Sequence, residues 1–308
     1  MAQNQGWFLL AMVGPLLYAM TNCIDKILLE KYFKEGGVGT LILVSSLLSI
    51  LAVPLFYWAD PGILHVDAKS VLILGGLALL DIILLWFYLL ALKDEESSVV
   101  IVFYQLVPVL GLLFGYLILN EKVSSVQLIA VAVIVMGTGI VSFDLSGAGI
   151  RPRTKTILCM SVACVCWATE LVIFKVVALE ENVVRSLFWK HVMLVVVGVV
   201  IYTFIPVYRR NFLQAIRSNS IPILSLNLFN EVIYMVGGLA VAFAAMRTQV
   251  GLVLLTETYQ AIFVFVIGLF MTKFVPNLSN ERIEKKAVIQ KVLAILVTGF
   301  GTYLLLRS

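Results

Sequence analysis

Apolar runs of about 20 residues, separated by brief polar interruptions, recur along the whole 308-residue chain. Helix of about that length crosses the hydrocarbon core of a bilayer, so each run predicts a membrane-spanning helix. Ten emerge. The first five cover Trp7–Leu29, Gly39–Trp58, Ser70–Leu92, Ser98–Leu119 and Val126–Phe143. A glycine- and proline-bearing stretch, Asp144–Lys155, reads as the linker between two halves. The second five cover Thr156–Leu179, Ser186–Ile205, Ile221–Met246, Val250–Phe274 and Ala287–Leu306.

The halves repeat. Tyr18-Ala19 followed by Lys26 returns as Trp167-Ala168 followed by Lys175. Pro108 and Gly115 meet Ala261 and Gly268, and Gly137-Thr138-Gly139 meets Gly299-Phe300-Gly301. The offset grows from 149 to 153 to 162 residues along the half, and the last nine fall in the charged stretch Val275–Lys286. Five helices per half is an odd number, so the second half enters the membrane inverted. The fold class expected is all-α membrane protein, ten transmembrane helices as two inverted five-helix repeats, 1–149 and 150–308. An inverted repeat of membrane helices is a common build of secondary transporters.

Composition narrows the class. Charged residues are 13% of the chain and apolar residues 61%, against about 25% charged in soluble domains. The net charge of +4 is spread over many short loops, which gives no face for nucleic acid. The cysteines, 23, 159, 164 and 166, all fall in apolar segments and read as small packing residues. Neither metal nor cofactor is expected. The first residues lack a basic stretch, so the first helix is expected to insert and stay. Basic residues are fewer in loops on the side of the termini than opposite them, so the positive-inside rule places both termini outside.

A charge within a bilayer costs at least a few kcal/mol and asks for a function. Asp81 and Glu231 fall near the middle of helices three and eight, where an inverted repeat forms its binding site, and they are the first candidates to meet a substrate or a proton. Glu170, Lys175, Lys190, His191 and Glu257 share one third of the bilayer, and Asp25 and Lys26 the opposite third. Lys26, Lys175, Lys190 and His191 could equally reach back to the interface, and Asp81 could pair with a lysine. Tyr18, Trp167, Tyr104, Gln105, Tyr234 and Tyr259 supply aromatic and amide groups for a pocket, as do Trp86, Asn227, Asn230 and Gln260. Gly111 and Gly115 form a GxxxG step suited to close helix packing, and Pro108 interrupts the helical ladder.

From Pro108 through Gly115, Leu119-Asn120-Glu121-Lys122-Val123-Ser124, Gln127 and Gly137-Thr138-Gly139, the chain resembles the EamA-type drug/metabolite transporters. Ser124 and Gln127 also have capping-box spacing, which accounts for them structurally. The second half departs from the pattern at Ala261 and Phe274. The resemblance implies a bundle lined by helices one to four and six to nine, with five and ten peripheral. It also implies alternating access for small metabolites such as amino acids or sugar-linked compounds, and termini in the cytoplasm, opposite to the charge distribution.

The function expected is a secondary transporter or exporter of a small polar metabolite, amino acid-like, cationic or sugar-linked, with proton coupling through a carboxylate. Its expected partners are that substrate, protons and lipid, in a bacterial inner membrane. The alternative is a non-transporting scaffold whose halves meet in a dry interface. An enzyme is not expected: only His65 and His191 are present, without HExxH or GxSxG.

Overall fold

A computed structural model describes residues 6–33, 37–60, 62–120, 122, 124–141, 143–144, 151–274 and 284–306. The glycines of the linker, Glu121, and most of the Val275–Lys286 loop lie outside these residues. Among them, nine helices are long and apolar enough to cross a membrane. The first half contains α1 (Gly6–Ile27), extended by a π-helical turn to Tyr32. Helices α2 (Gly37–Leu48) and α3 (Ala52–Ala59) are joined by a 3₁₀ turn into one span. Helix α4 (Ala68–Asp94) follows, then α5 (Ser97–Phe103) with α6 (Leu106–Leu119), and α7 (Ser125–Val141). The second half contains α8 (Thr154–Glu181), α9 (Val183–Phe204), α10 (Pro206–Ala245), α11 (Val250–Thr256) with α12 (Thr258–Phe274), and α13 (Lys285–Leu306).

Two elements differ from the expectation. Helix α7 has 17 residues, about 25 Å of helix, which is less than a bilayer's ~30 Å core. Among the described residues nine of the ten expected spans are thus long enough to cross, and α7 is a shorter apolar helix. Helix α10 has 40 residues because the polar stretch before the eighth apolar run is helical too. The helix starts on Pro206, whose fixed φ suits a first turn.

Both fourth spans of the halves are broken at the same register. Helix α5 ends at Phe103; Pro108 has no N–H to donate to the Tyr104 carbonyl, which accepts instead from the Val107 amide at 2.9 Å. Helix α11 ends at Glu257, 153 residues later, although Ala261 stands where the proline would be. Threonines supply the disruption there. Thr256 Oγ1 donates to the Val253 carbonyl at 2.7 Å, and Thr258 Oγ1 to that of Leu255 at 2.7 Å. Such local bonds compete with the helical ladder.

Packing reciprocates between the halves. Helix α1 lies on α10 and α12, as α8 lies on α4 and α6; α7 lies along α13. At that last crossing a Cβ on Gly137 would come within 2.6 Å of Thr298, and one on Gly301 within 2.7 Å of Ile134. Gly111 approaches α11 likewise, with Leu254 at 2.4 Å from its would-be Cβ. The outer surface carries exposed Leu72, Leu128, Val199, Phe204 and Phe270, as lipid contact demands. The capping box forms as spaced: Ser124 N–H donates to Gln127 Oε1 at 2.7 Å, and Gln127 N–H to Ser124 Oγ at 3.2 Å.

Candidate functional site

Polar side chains inside the bundle fall on single helix faces. Tyr18, Thr21, Asn22 and Asp25 are spaced three and four apart on α1, so they form one stripe. Ser45 and Ser49 on α2 to its 3₁₀ turn, Asp81, Leu85 and Tyr88 on α4, and Asn227, Glu231 and Tyr234 on α10 have the same helical spacing. All of these except Asn227 line one internal chamber of about 90 Å³, with Tyr104 and Trp167. A second chamber of about 70 Å³ adjoins it, sharing Tyr18, Ser49, Asp81, Trp167, Glu231 and Tyr234 and adding Glu170, Lys190 and His191.

Five aromatic rings form a continuous wall. Tyr234 lies 5.3 Å from Tyr18, Tyr18 5.8 Å from Trp167, Trp167 4.8 Å from Tyr104 and Tyr104 5.9 Å from Tyr88, ring centre to ring centre. Tyr18 and Trp167, which the sequence matches between the halves, meet face to edge inside the chamber.

Two polar systems occupy its ends. At one, Lys190 Nζ bonds Asp81 Oδ2 at 2.8 Å and Glu170 Oε1 at 2.5 Å. Lys190 thus does not reach to an interface: it is held between two carboxylates. Removing a charge from so buried an arrangement would strand its partners. At the other end, Gln260 donates to Asn22, Asn22 to the Tyr88 hydroxyl at 2.7 Å, Tyr88 to Asp25 Oδ2 at 3.2 Å, and Asn230 to Asp25 Oδ1 at 2.7 Å. Glu231 lines the chamber between the two ends, together with Ser45 and Ser49.

Of the expected site residues, Asp81, Glu231, Glu170, Tyr18, Trp167, Tyr104 and Tyr234 line these chambers. The others lie elsewhere. Lys26 Nζ donates to the Leu92 and Glu95 carbonyls, both at 2.7 Å, and Lys175 Nζ to the Thr248 carbonyl at 2.8 Å. The two equivalent lysines thus tether the equivalent loops α4–α5 and α10–α11. Gln105 donates to the Thr258 carbonyl at 3.1 Å, joining the two helix breaks. Tyr259 packs edge-on to Phe8. Glu257 sits in the second break, 1% exposed, with neither carboxyl oxygen hydrogen-bonded and one of them facing Gly14.

Sequence reasoning did not select Asp25, Tyr88 or the serines. The 18–21–22–25 polar stripe was the signal for Asp25, and depth alone hid it, because the chamber runs along the helices instead of sitting at one level.

Residues 5–143 match the EamA-like transporter family. That match makes the first half of the chain similar to the EamA/drug-metabolite transporter superfamily. The matched stretch is the whole first half, α1 through α7. A solved crystal structure of a protein is similar over 94% of this chain and 95% of its own, at 15% identity and a TM-score of 0.50. At that identity the likeness speaks to the fold alone. No curated protein matches the chain. The protein is an integral, multi-pass membrane protein whose first half matches a transporter family.

Proposed function

We propose that this protein is a secondary transporter moving a small polar metabolite across a bacterial inner membrane by alternating access. Two inverted five-helix repeats would rock about the shared chamber. The observation that carries the reading is the chamber itself: enclosed by both halves, walled by aromatic rings, and set with carboxylates inside a membrane span. A pocket of apolar walls with a few directed polar groups is how proteins hold small molecules. The inverted repeat is supported by the reciprocal packing, the equivalent helix breaks and the equivalent lysine tethers. A polar, hollow interface weighs against a scaffold, whose halves would meet dry.

Proton coupling belongs to the same reading. Glu257 is its candidate, since an unpaired polar group so deeply buried is costly and the break beside it gives the helix a place to move. Purified protein in proteoliposomes, supplied with a metabolite library, tests the function. Wild type should exchange at least one solute, and Asp81→Asn or Glu231→Gln should lower that flux by about 10-fold or more, the scale of a lost directed contact of ~1.4 kcal/mol. Flux unchanged in both variants would remove the chamber carboxylates from the mechanism.

A further inference from the structure

We propose that the Asp25 end of the chamber is a subsite for a small alkylammonium ion, so that the solute carried is an amine cation and not an amino acid. This deepens the transport reading and rests on it only for the word carried; the subsite is a binding claim in its own right.

Three independent observations converge. Asp25 is 8% exposed and lines the chamber, and its two oxygens accept only from the neutral donors Asn230 and Tyr88. No lysine, arginine or histidine pairs with it among the described residues. The adjacent Lys26 is turned away onto backbone carbonyls and Glu30. Glu231 lines the same space, with Ser45 and Ser49. A buried carboxylate without a cation is an unfilled half of an ion pair.

Beside Asp25, two lining amides present buried oxygens with no partner. Asn230 Oδ1 and Gln260 Oε1 belong to side chains 6% and 1% exposed, and neither is hydrogen-bonded. Unfilled acceptors in a polar cavity call for a ligand with N–H donors. An ammonium has three.

The five-ring arc then supplies what distinguishes an organic cation from a metal ion. Ring faces attract a cation within about 6 Å, most strongly when it is desolvated. Size agrees: about 90 Å³ is room for roughly six to nine waters, at 10–15 Å³ each, and so for a solute of a few heavy atoms.

The rejection of amino acids comes from the other end. A zwitterion needs a cation for its carboxylate. Lys190 is the one lysine or arginine among the described lining residues, and it already bonds both Asp81 and Glu170. A substrate carboxylate would have to displace one of them.

Thermal unfolding of the detergent-purified full chain tests this, because a ligand that prefers the folded state raises the melting temperature with concentration. The probes are propylammonium and tetramethylammonium chloride, with β-alanine, sodium propionate and sodium chloride at matched ionic strength. The proposal expects saturable stabilisation by propylammonium, weaker stabilisation by tetramethylammonium, which has no N–H for the unpaired amide oxygens, and none by the other salts. Asp25→Asn should weaken that response at least tenfold, while Tyr88→Phe, which keeps the carboxylate, should weaken it less. Should Asp25→Asn not fold, the wild-type comparison decides. Stabilisation by β-alanine or sodium as strong as by the ammonium probes, or by none of them, overturns the subsite. If ammonium binds through Asp25 but no flux is found, the subsite stands and transport fails. If some other solute is carried without ammonium binding, transport stands and the subsite fails.

Discussion

Lys190 illustrates how a residue's role depends on what surrounds it. In the sequence it opens a helix and suits an interface; in the bundle it neutralises Asp81 and Glu170 together. Lys190→Met should therefore lower stability by about 3–5 kcal/mol, because two buried carboxylates lose their partner. Adding Asp81→Asn and Glu170→Gln should restore much of the loss. A melting temperature unmoved by Lys190→Met would show that the pair is not bearing on stability. Sequence periodicity made Asp81, Glu231 and the aromatic residues legible as interior. It could not assign partners, since Lys190 lies 109 positions from Asp81 and only tertiary packing joins them.

At the scale of elements, most helices were legible because the apolar runs are long and the interruptions polar. What escaped was set by local competition. The break at Tyr104 follows from Pro108, but the equivalent break at Glu257 has no proline and depends on threonine hydroxyls. Pro108→Ala should accordingly be mild, changing flux by less than about threefold, below ~0.7 kcal/mol in activation terms. A loss of transport with that variant would mean the proline is a hinge in its own right. The lysine tethers make a paired prediction. Lys26→Met and Lys175→Met should each speed hydrogen exchange in the loop it holds, residues 92–96 and the stretch around Thr248 respectively, and leave the other loop protected. Acceleration in neither loop would contradict the tethers. Asp60 lies just outside the spans, where Arg185 in the first turn of α9 bonds it at 2.7 Å and holds its carboxyl below the usual range. That contribution is present at neutral pH and is lost as the pH falls through the lowered value. Exchange in residues 62–67 should thus quicken only in acid, and Asp60→Asn should remove the acid dependence.

For the whole molecule, charged strips join the halves as well as the chamber does. Asp94, Glu95 and Glu96, between α4 and α5, pair with Lys155, Arg153 and Lys291 of the second half. The equivalent loop holds Arg247, Thr248 and Gln249, which cannot make that acidic contact. On that other face the halves are joined instead by Arg185 with Asp60, so the two faces are held by different contacts. The residue matches between the halves were legible in the sequence; this difference in charge between the matched loops was not, because it shows only once tertiary packing brings partners together. An account in which one chamber is reached in turn from both faces is tested most directly at Ser49, which lines both chambers. With Cys23, Cys159, Cys164 and Cys166 replaced by alanine, Ser49→Cys would be labelled by a membrane-impermeant thiol reagent, added to one side and then the other of sealed, oriented vesicles. Labelling from each side, slowed by substrate, is the predicted result; labelling from one side only, or from neither, would contradict it.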